Sequence, residues 1–365
     1  MIRRPPRSTR KESSAASDVY KRQVQLLRDW CAQQLIMLSS TPCQIVLQPL
    51  RVEASHRAFY RVKDISTSRS WVAMASPPEL ENNAQFVALA KLFHDFGTPQ
   101  LLAADEDNGF FLMEDLGSVH LHDVYQRAGD DQQAVTEILN LALDTLGPWQ
   151  QFTDAHIPPY LEDRLGMEFD LCTEGFAASR MSSPLSAQDE ATLAATRSTM
   201  IDAMLEQPQV CVHRDYHCRN LLLVGEPDHR RIGIVDFQDA LIGPALYDVA
   251  SLLQDCYAPH DKTVIAAALH RFASRSPVFT DMAPEQIAWW HDACAIQRQI
   301  KAVGIFARLH LRDGKSSHLH YIPAVLARAA ALAATHDATQ ALSPLVSRWA
   351  EEAANNHLLA RSVAT

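Results

Sequence analysis

A run of eight mostly polar residues, His213-Arg214-Asp215-Tyr216-His217-Cys218-Arg219-Asn220, stands between two short apolar stretches, Val210-Cys211-Val212 and Leu221-Leu222-Leu223-Val224. Short apolar runs flanked by polar and turn residues read as strands, so the polar run sits on a loop at a sheet edge. Turn formers from Gly225 to Arg231 follow, then a second strand, Ile232-Gly233-Ile234-Val235, that ends on Asp236-Phe237-Gln238-Asp239. If the strands on either side of that turn form a hairpin, Asp215, Asn220 and Asp236 meet at one rim. Two carboxylates and an amide oxygen then share a small space.

Such a set suits phosphoryl transfer from a nucleotide. One carboxylate orients an acceptor hydroxyl and takes its proton, and hard oxygen donors hold magnesium against the phosphates. The spacing H-x-D-x-x-x-x-N followed by a strand-terminal D-F is the catalytic-loop and metal-loop pattern of protein-kinase-like enzymes. In these residues the chain resembles the aminoglycoside phosphotransferase branch of that superfamily. The resemblance implies Asp215 as catalytic base, Asn220 and Asp236 as magnesium ligands, His213 as a loop brace, and ATP with Mg2+ as the required cofactors. Taken singly, an H-x-D or an Asp after a strand is an ordinary turn or cap; two linked motifs at this separation are not.

The chain is 365 residues long, 47% hydrophobic and 21% charged, enough for two lobes. Its apolar runs are too short for a membrane span, and no secretory signal is visible. The seven cysteines are scattered without a C-x-x-C pair, so free thiols in a reducing cytoplasm are expected. Cys218, inside the catalytic loop, has no base near it in sequence and is read as packing. Residues 1–23 are basic and Pro-rich at their start, then polar. They read as a transit peptide, a basic arm, or translated adapter DNA joined to a truncated gene, and are set apart as non-native or disordered. They are net +5, so the rest of the chain carries −15 of the overall −10, which argues against a nucleic-acid partner.

The expected fold is α+β and bilobal: residues 24–115 a small antiparallel-sheet N-lobe that binds nucleotide, residues 116–365 a larger, mainly helical catalytic C-lobe. A helix from Val24 precedes strands over Gln44–Leu50, Phe59–Val62 and Ser70–Met74. The turn Glu53-Ala54-Ser55-His56-Arg57 takes the place of a nucleotide-covering loop without its G-x-G-x-x-G. Ser55 and Arg57 are candidates to contact phosphate oxygens; a solvated hairpin is the plain alternative. The third strand carries no lysine, which leaves Arg57, Arg61 or magnesium to substitute, or leaves a nucleotide-binding pseudokinase. A helix over Glu79–Phe96 follows, with Glu79 and Glu81 at its N-terminus, then a strand into Met113-Glu114-Asp115-Leu116-Gly117. The resemblance places adenine against the backbone around Glu114 and Leu116.

Helices over Ala134–Phe152, Arg164–Ser179 and Ala187–Gln207 come next. Glu168 and Asp170 either approach the acceptor or lie on a solvated face. Beyond the hairpin, Gly243-Pro244-Ala245-Leu246-Tyr247-Asp248 leads into another helix, and Asp248 is read as a cap or an anchor for the catalytic loop, not a reacting group. Three stretches carry a narrower likeness: Asp236-Phe237-Gln238-Asp239-Ala240, Ser251-Leu252-Leu253-Gln254-Asp255-Cys256-Tyr257, and Gly304 through Lys315. With Ala54-Ser55-His56-Arg57 and Met113 through Gly117, they resemble the bacterial anomeric amino-sugar kinases of cell-wall recycling, from Val24 onward; Ala75 departs from that family, which tends to carry Asp there. The likeness implies a cytoplasmic enzyme that moves the γ-phosphate of ATP to the C1 hydroxyl of N-acetylmuramate or N-acetylglucosamine. Its partner would be the small sugar, with no nucleic acid and no membrane. Asp239, Arg308 and Arg312 are the candidate substrate contacts, Arg308 and Arg312 being equally readable as a solvated helix end. Aminoglycoside and small-alcohol acceptors (choline-like or homoserine-like) share the same catalytic loop.

Overall fold

The computed structural model describes residues 9–40, 43–50, 56–179, 183–356 and 359, with side chains from residue 22 onward. Ser55 lies outside the described residues. The chain divides into two compact units, Met1–Leu116 and Gly117–Thr365.

The first unit is built on a five-stranded antiparallel sheet. Helix α1 (Thr9–Ser39) is followed by β1 (Ile45–Pro49), β2 (Ala58–Asp64), β3 (Ser70–Ala75), α2 (Asn83–Leu92), β4 (Leu101–Asp105) and β5 (Phe110–Glu114), with the strands in the order β1-β2-β3-β5-β4. The α1 backbone thus begins well inside the segment that the sequence sets apart. Leu27, Cys31 and Leu35, each one helical turn from the next, bury against Tyr60, Val62, Trp71, Ala73, Phe110 and Leu112. On the opposite face Phe86 of α2 meets Phe111 edge-on, ring centroids 5.2 Å apart. Covered on both faces, β5 buries four residues in succession and shows none of the alternation of a half-exposed strand.

Helix α2 starts later than Glu79. Leu80 and Glu81 donate their amides to the Pro77 carbonyl in a turn, and the Asn82 side chain accepts from the Gln85 amide to cap the helix. Glu81 is thereby left outside the helix and pairs with the Arg57 guanidinium at 3.2 Å.

The second unit is mainly helical: α3 (Leu121–Ala128), α4 (Gln132–Gln150), α5 (Glu162–Cys172), α6 (Ala187–Leu205), then β6 (Gln209–Val212), β7 (Leu221–Val224), β8 (Arg231–Ile234) and β9 (Leu241–Pro244), and then α7 (Tyr247–Leu253), α8 (Lys262–Arg275), α9 (Pro284–Asp313), α10 (Ile322–Ala333) and α11 (Ser343–Asn355). The strands β7 and β8 form the expected antiparallel hairpin, Leu221 opposite Ile234. The lead-in strand β6 pairs elsewhere, with β9, a strand that the sequence reading takes for loop. Pro148 falls inside the last turn of α4, where the helix is ending in any case. No helix among the described residues is long and apolar enough to cross a membrane.

One close approach sets the geometry of the site. A five-residue π-turn, Thr173–Ala177, continues α5, and it crosses α9 glycine on glycine. A Cβ on Gly175 would lie 2.7 Å from the Gly304 carbonyl oxygen, and a Cβ on Gly304 would overlap the Leu171 backbone. Only two residues without side chains let the backbones come this near. Lys301 lies one turn before Gly304 on α9, and Glu168 one turn before Leu171 on α5. Replacing Gly304 by Ala should therefore push α5 off α9 and destabilise the protein by about 1–3 kcal/mol or more, measured by urea denaturation; a stability unchanged from the parent would mean that the crossing is slack.

Candidate active site

The polar loop between β6 and β7 is held from beneath by α7, whose seven residues are all buried. Asp248 in its first turn accepts the backbone amides of His213 (2.6 Å) and Arg214 (2.9 Å). Asp255, just past the helix, accepts the Cys218 amide at 2.8 Å. Between these anchors Arg214 adopts a left-handed backbone, φ +76°, which turns the chain so that Asp215 projects outward. Its carboxylate remains 37% exposed, although its neighbours His213, Tyr216 and Cys218 are buried.

His213 ties the loop to the end of β8. The Asp215 amide donates to its Nδ1 (3.3 Å), which leaves Nε2 to donate to the Val235 carbonyl at 3.0 Å. Burial holds the imidazole below its ordinary pKa and so neutral, as this bonding requires. The Val235 amide in turn donates to the Asn220 carbonyl. The next residue, Asp236, is also left-handed, φ +66°, and is exposed. Asn220 donates its side-chain amide to the Asp215 carbonyl oxygen (3.0 Å) and lies 3.5 Å from Asp236 Oδ2. Asp215, Asn220 and Asp236 are thus brought together. No cluster of three His, Cys, Asp or Glu side chains among the described residues is placed to hold a metal. The donor set of Asn220 and Asp236, two hard oxygen-bearing side chains, fits magnesium, which takes most of its remaining ligands from water and phosphate.

The surroundings of Asp215 are cationic, and most of that charge comes from α9. Arg298 Nη2 lies 3.4 Å from Asp215 Oδ1. One turn on, Lys301 lies 2.8 Å from Glu168 and 3.2 Å from the Tyr247 hydroxyl. Arg214 reaches Glu168 from the loop side at 2.6 Å, and the Tyr160 hydroxyl donates to the same carboxylate. Glu168, read as either an acceptor contact or a solvated helix position, is instead the buried hub of this network. Burial by itself pushes its carboxyl up, but Lys301 and then Arg214 outweigh that and bring it down to about 2. Burial pushes Asp215 up as well, and Lys301, Arg298, His217 and Arg214 together hold it well below the usual carboxylate range. Asp215 is therefore ionised at neutral pH. Burial, then Arg298, brings His217 down to about 4, so that ring is uncharged there.

Other candidates fall as follows. Asp239 is exposed and 3.8 Å from Arg214. Arg308 and Arg312 lie on the exposed last turns of α9, where Arg312 pairs with Asp313 at 2.7 Å, and Asp170 pairs with Arg197. In the first unit Arg57 is buried against Glu81, and Arg61 grips Asp115 through two nitrogens (2.7 and 3.0 Å). Glu114 ends β5 opposite Trp71, and Leu116 is buried. Burial raises the Cys218 thiol far above its ordinary value, as expected for a packing residue. Sequence reading passed over Arg298 and Lys301. The available signal was Gln297-Arg298-Gln299-Ile300-Lys301, a polar interruption inside an otherwise apolar helix.

A family model described as "Phosphotransferase enzyme family" matches residues 46–284. A Pseudomonas aeruginosa protein named N-acetylmuramate/N-acetylglucosamine kinase is 32% identical over 323 residues, 84% of this chain and 90% of the relative. A Neisseria meningitidis serogroup B protein of the same name is 32% identical over 282 residues, 75% of this chain and 81% of the relative. Among solved structures, a choline/ethanolamine kinase family protein from Mesorhizobium loti superposes with a TM-score of 0.58 at 14% identity, covering 90% of this chain and 99% of that one. The GDP complex of aminoglycoside 2'-phosphotransferase-IIIa gives 0.55 at 14% identity, covering 80% and 96%. These likenesses establish the fold, α+β and protein-kinase-like.

Glu168 can be tested directly. Glu168→Gln leaves Arg214 and Lys301 buried without their shared counter-charge, an expected loss of about 3–5 kcal/mol at pH 7. The folded value near 2 lies below the ordinary 4.5, so the stabilisation is complete above about pH 4.5 and fades as pH falls towards 2. Urea denaturation of parent and variant should show the gap closing across that window; a gap independent of pH would remove Glu168 from the hub.

Proposed function

The chain belongs to the phosphotransferase enzyme family, and from that premise we propose that it uses ATP to phosphorylate the anomeric C1 hydroxyl of N-acetylmuramate or N-acetylglucosamine. The relatives at 32% identity carry that pair of sugars in their name, and they match along most of their length. The observation that carries the choice of acceptor is the charge around the base. Arg298, Arg214 and Lys301 crowd Asp215 and Glu168. The carboxylates Asp215, Glu168 and Asp239 are each matched by a buried cation, so little anionic surplus remains to draw a polycationic aminoglycoside, and a neutral or carboxylate-bearing sugar is favoured.

In the proposed reaction Asp215 accepts a hydrogen bond from the C1 hydroxyl and takes its proton as the sugar oxygen bonds to the γ-phosphorus. ADP leaves with the electron pair of the broken phosphoanhydride bond. An anomeric hydroxyl is more acidic than an ordinary alcohol, so a carboxylate such as Asp215 is a sufficient base. Asn220 and Asp236 are the proposed magnesium ligands, and the ion when bound neutralises charge on the phosphates. Ser55, Arg57 and the backbone at Glu114 and Leu116 are the proposed nucleotide contacts, and Asp239, Arg308 and Arg312 the proposed sugar contacts. The seven cysteines are all free, in keeping with a cytoplasmic enzyme.

Incubating the full chain with ATP, magnesium and a panel of N-acetylmuramate, N-acetylglucosamine, aminoglycosides, choline and homoserine should give a sugar 1-phosphate by phosphorus NMR. Asp215→Asn should lower kcat by about 10²–10⁴-fold and spare ATP binding. Product from an aminoglycoside alone, or nucleotide binding without any turnover, would contradict the proposal.

A further inference from the structure

Three buried cations stand near Asp215, and their commitments differ. Arg214 and Lys301 are both spent on Glu168, at 2.6 and 2.8 Å, and Lys301 also donates to Tyr247. Arg298 has one ion pair among the described residues, with Asp215. At 3.4 Å that contact is longer than the roughly 2.7–2.9 Å of a tight charge-assisted bond, so the guanidinium is near the base without being locked to it. The residue projects from the middle of the 30-residue helix α9, flanked by buried Gln297, Gln299 and Ile300, and its own side chain is only 10% exposed. A charge on a rigid element, largely shielded from water, needs no reorganisation when the reaction demands it.

The proton transfer changes what that charge faces. Before it, Arg298 is balanced by the Asp215 carboxylate. As the acceptor proton reaches Asp215 the carboxylate is neutralised, and the guanidinium loses its nearest counter-charge, with the more distant Asp255 still acting on it. At the same moment the acceptor oxygen is bonding to a phosphoryl group with negative charge on its three remaining oxygens. A hydroxyl within about 2.6–3.2 Å of Asp215 Oδ1 is at most about 7 Å from Arg298 Nη2, given the 3.4 Å pair, and the phosphoryl oxygens extend from it. The fork of Arg298 suits two such oxygens at once.

Resting on phosphoryl transfer as read above, but on no particular acceptor, we infer that Arg298 is a catalytic residue whose guanidinium passes from the Asp215 carboxylate to the transferring phosphoryl group. Its positive charge is balanced throughout, by the carboxylate before proton transfer and by phosphoryl oxygens after it. This gives the chain a phosphoryl-directed cation on α9 where its third strand has no lysine. In the first unit the two arginines with the best claim to that duty carry carboxylate partners of their own, Glu81 for Arg57 and Asp115 for Arg61. Arg219, the other cation of the catalytic loop, is turned towards Tyr257, Tyr321 and His318.

The test compares the parent with Arg298→Met and Arg298→Lys, using two readouts. In turnover with ATP and any accepted alcohol, Arg298→Met should lower kcat by about 10²–10³-fold while KM for acceptor and nucleotide stays within threefold. Arg298→Lys, which keeps the charge and loses the fork, should fall between Met and the parent. The second readout needs no acceptor and no turnover. Calorimetry measures ADP binding with magnesium, with and without fluoroaluminate, which imitates a planar phosphoryl group. Fluoroaluminate should tighten ADP in the parent and fail to do so in Arg298→Met, with plain ADP binding alike in both. Tightening retained in Arg298→Met, a kcat within threefold of the parent, or a loss confined to acceptor KM would each overturn the inference. If Arg298→Met does not fold, Arg298→Lys decides: a parental kcat and parental fluoroaluminate effect overturn it, a tenfold fall in kcat at constant KM supports it. A parent enzyme that phosphorylates some other alcohol would revise the acceptor and leave the fluoroaluminate comparison standing.

Discussion

The carboxylate of Asp248 accepts two consecutive backbone amides, His213 and Arg214, and the course of the loop at the site follows from that grip. It fixes the left-handed turn at Arg214 that a non-glycine residue would ordinarily avoid. That turn sends Asp215 out while the Arg214 side chain goes in towards Glu168. Asp255 repeats the device at Cys218. The short helix that carries Asp248 and ends just before Asp255, buried at every residue, is a platform for the loop. Buried amides left without acceptors would cost about 1–3 kcal/mol each, so the loop has little freedom to adopt another course.

The second constraint is electrostatic and comes from further along the chain. The glycine crossing of α5 and α9 brings Glu168 to Lys301, and Arg214 completes the pair from the loop. The same helix α9 presents Arg298 to Asp215. These cations overcome the effect of burial on both carboxyls and keep them ionised. A site so arranged sets an ionised carboxylate against a cationic wall, in keeping with the acceptors proposed for it.

Much of this was legible in the sequence where the chemistry is local. The catalytic loop, the β7–β8 hairpin and the strand-terminal Asp236 lie within about two dozen residues, and short-range turn and strand signals suffice to place them. A structural role for Asp248, as cap or anchor, was legible for a similar reason, from its place at the start of the helix that follows the hairpin. What escaped is made by distant segments. Glu168 looked like an ordinary acidic helix residue because its partners are Arg214 and Lys301, far away in sequence. Arg308 and Arg312 near the end of α9 were read as sugar contacts, whereas Arg298 and Lys301, further back on the same helix, went unread because their partners are Asp215 and Glu168. The β6–β9 pairing was missed because nothing in four residues records the strand they will meet. The start of α2 was misplaced because a turn on Pro77 and the Asn82 cap set it, which leaves Glu81 outside the helix, paired with Arg57.

The grip of Asp248 on the loop can be measured by hydrogen–deuterium exchange of peptides spanning residues 210–224, in the parent and in Asp248→Asn. Asn offers one acceptor oxygen where Asp offers two. Exchange in that peptide should accelerate at least tenfold in the variant, with the peptides of the five-stranded sheet unchanged. Equal protection of residues 210–224 in both proteins would contradict the account, because the loop would then be held by something other than Asp248.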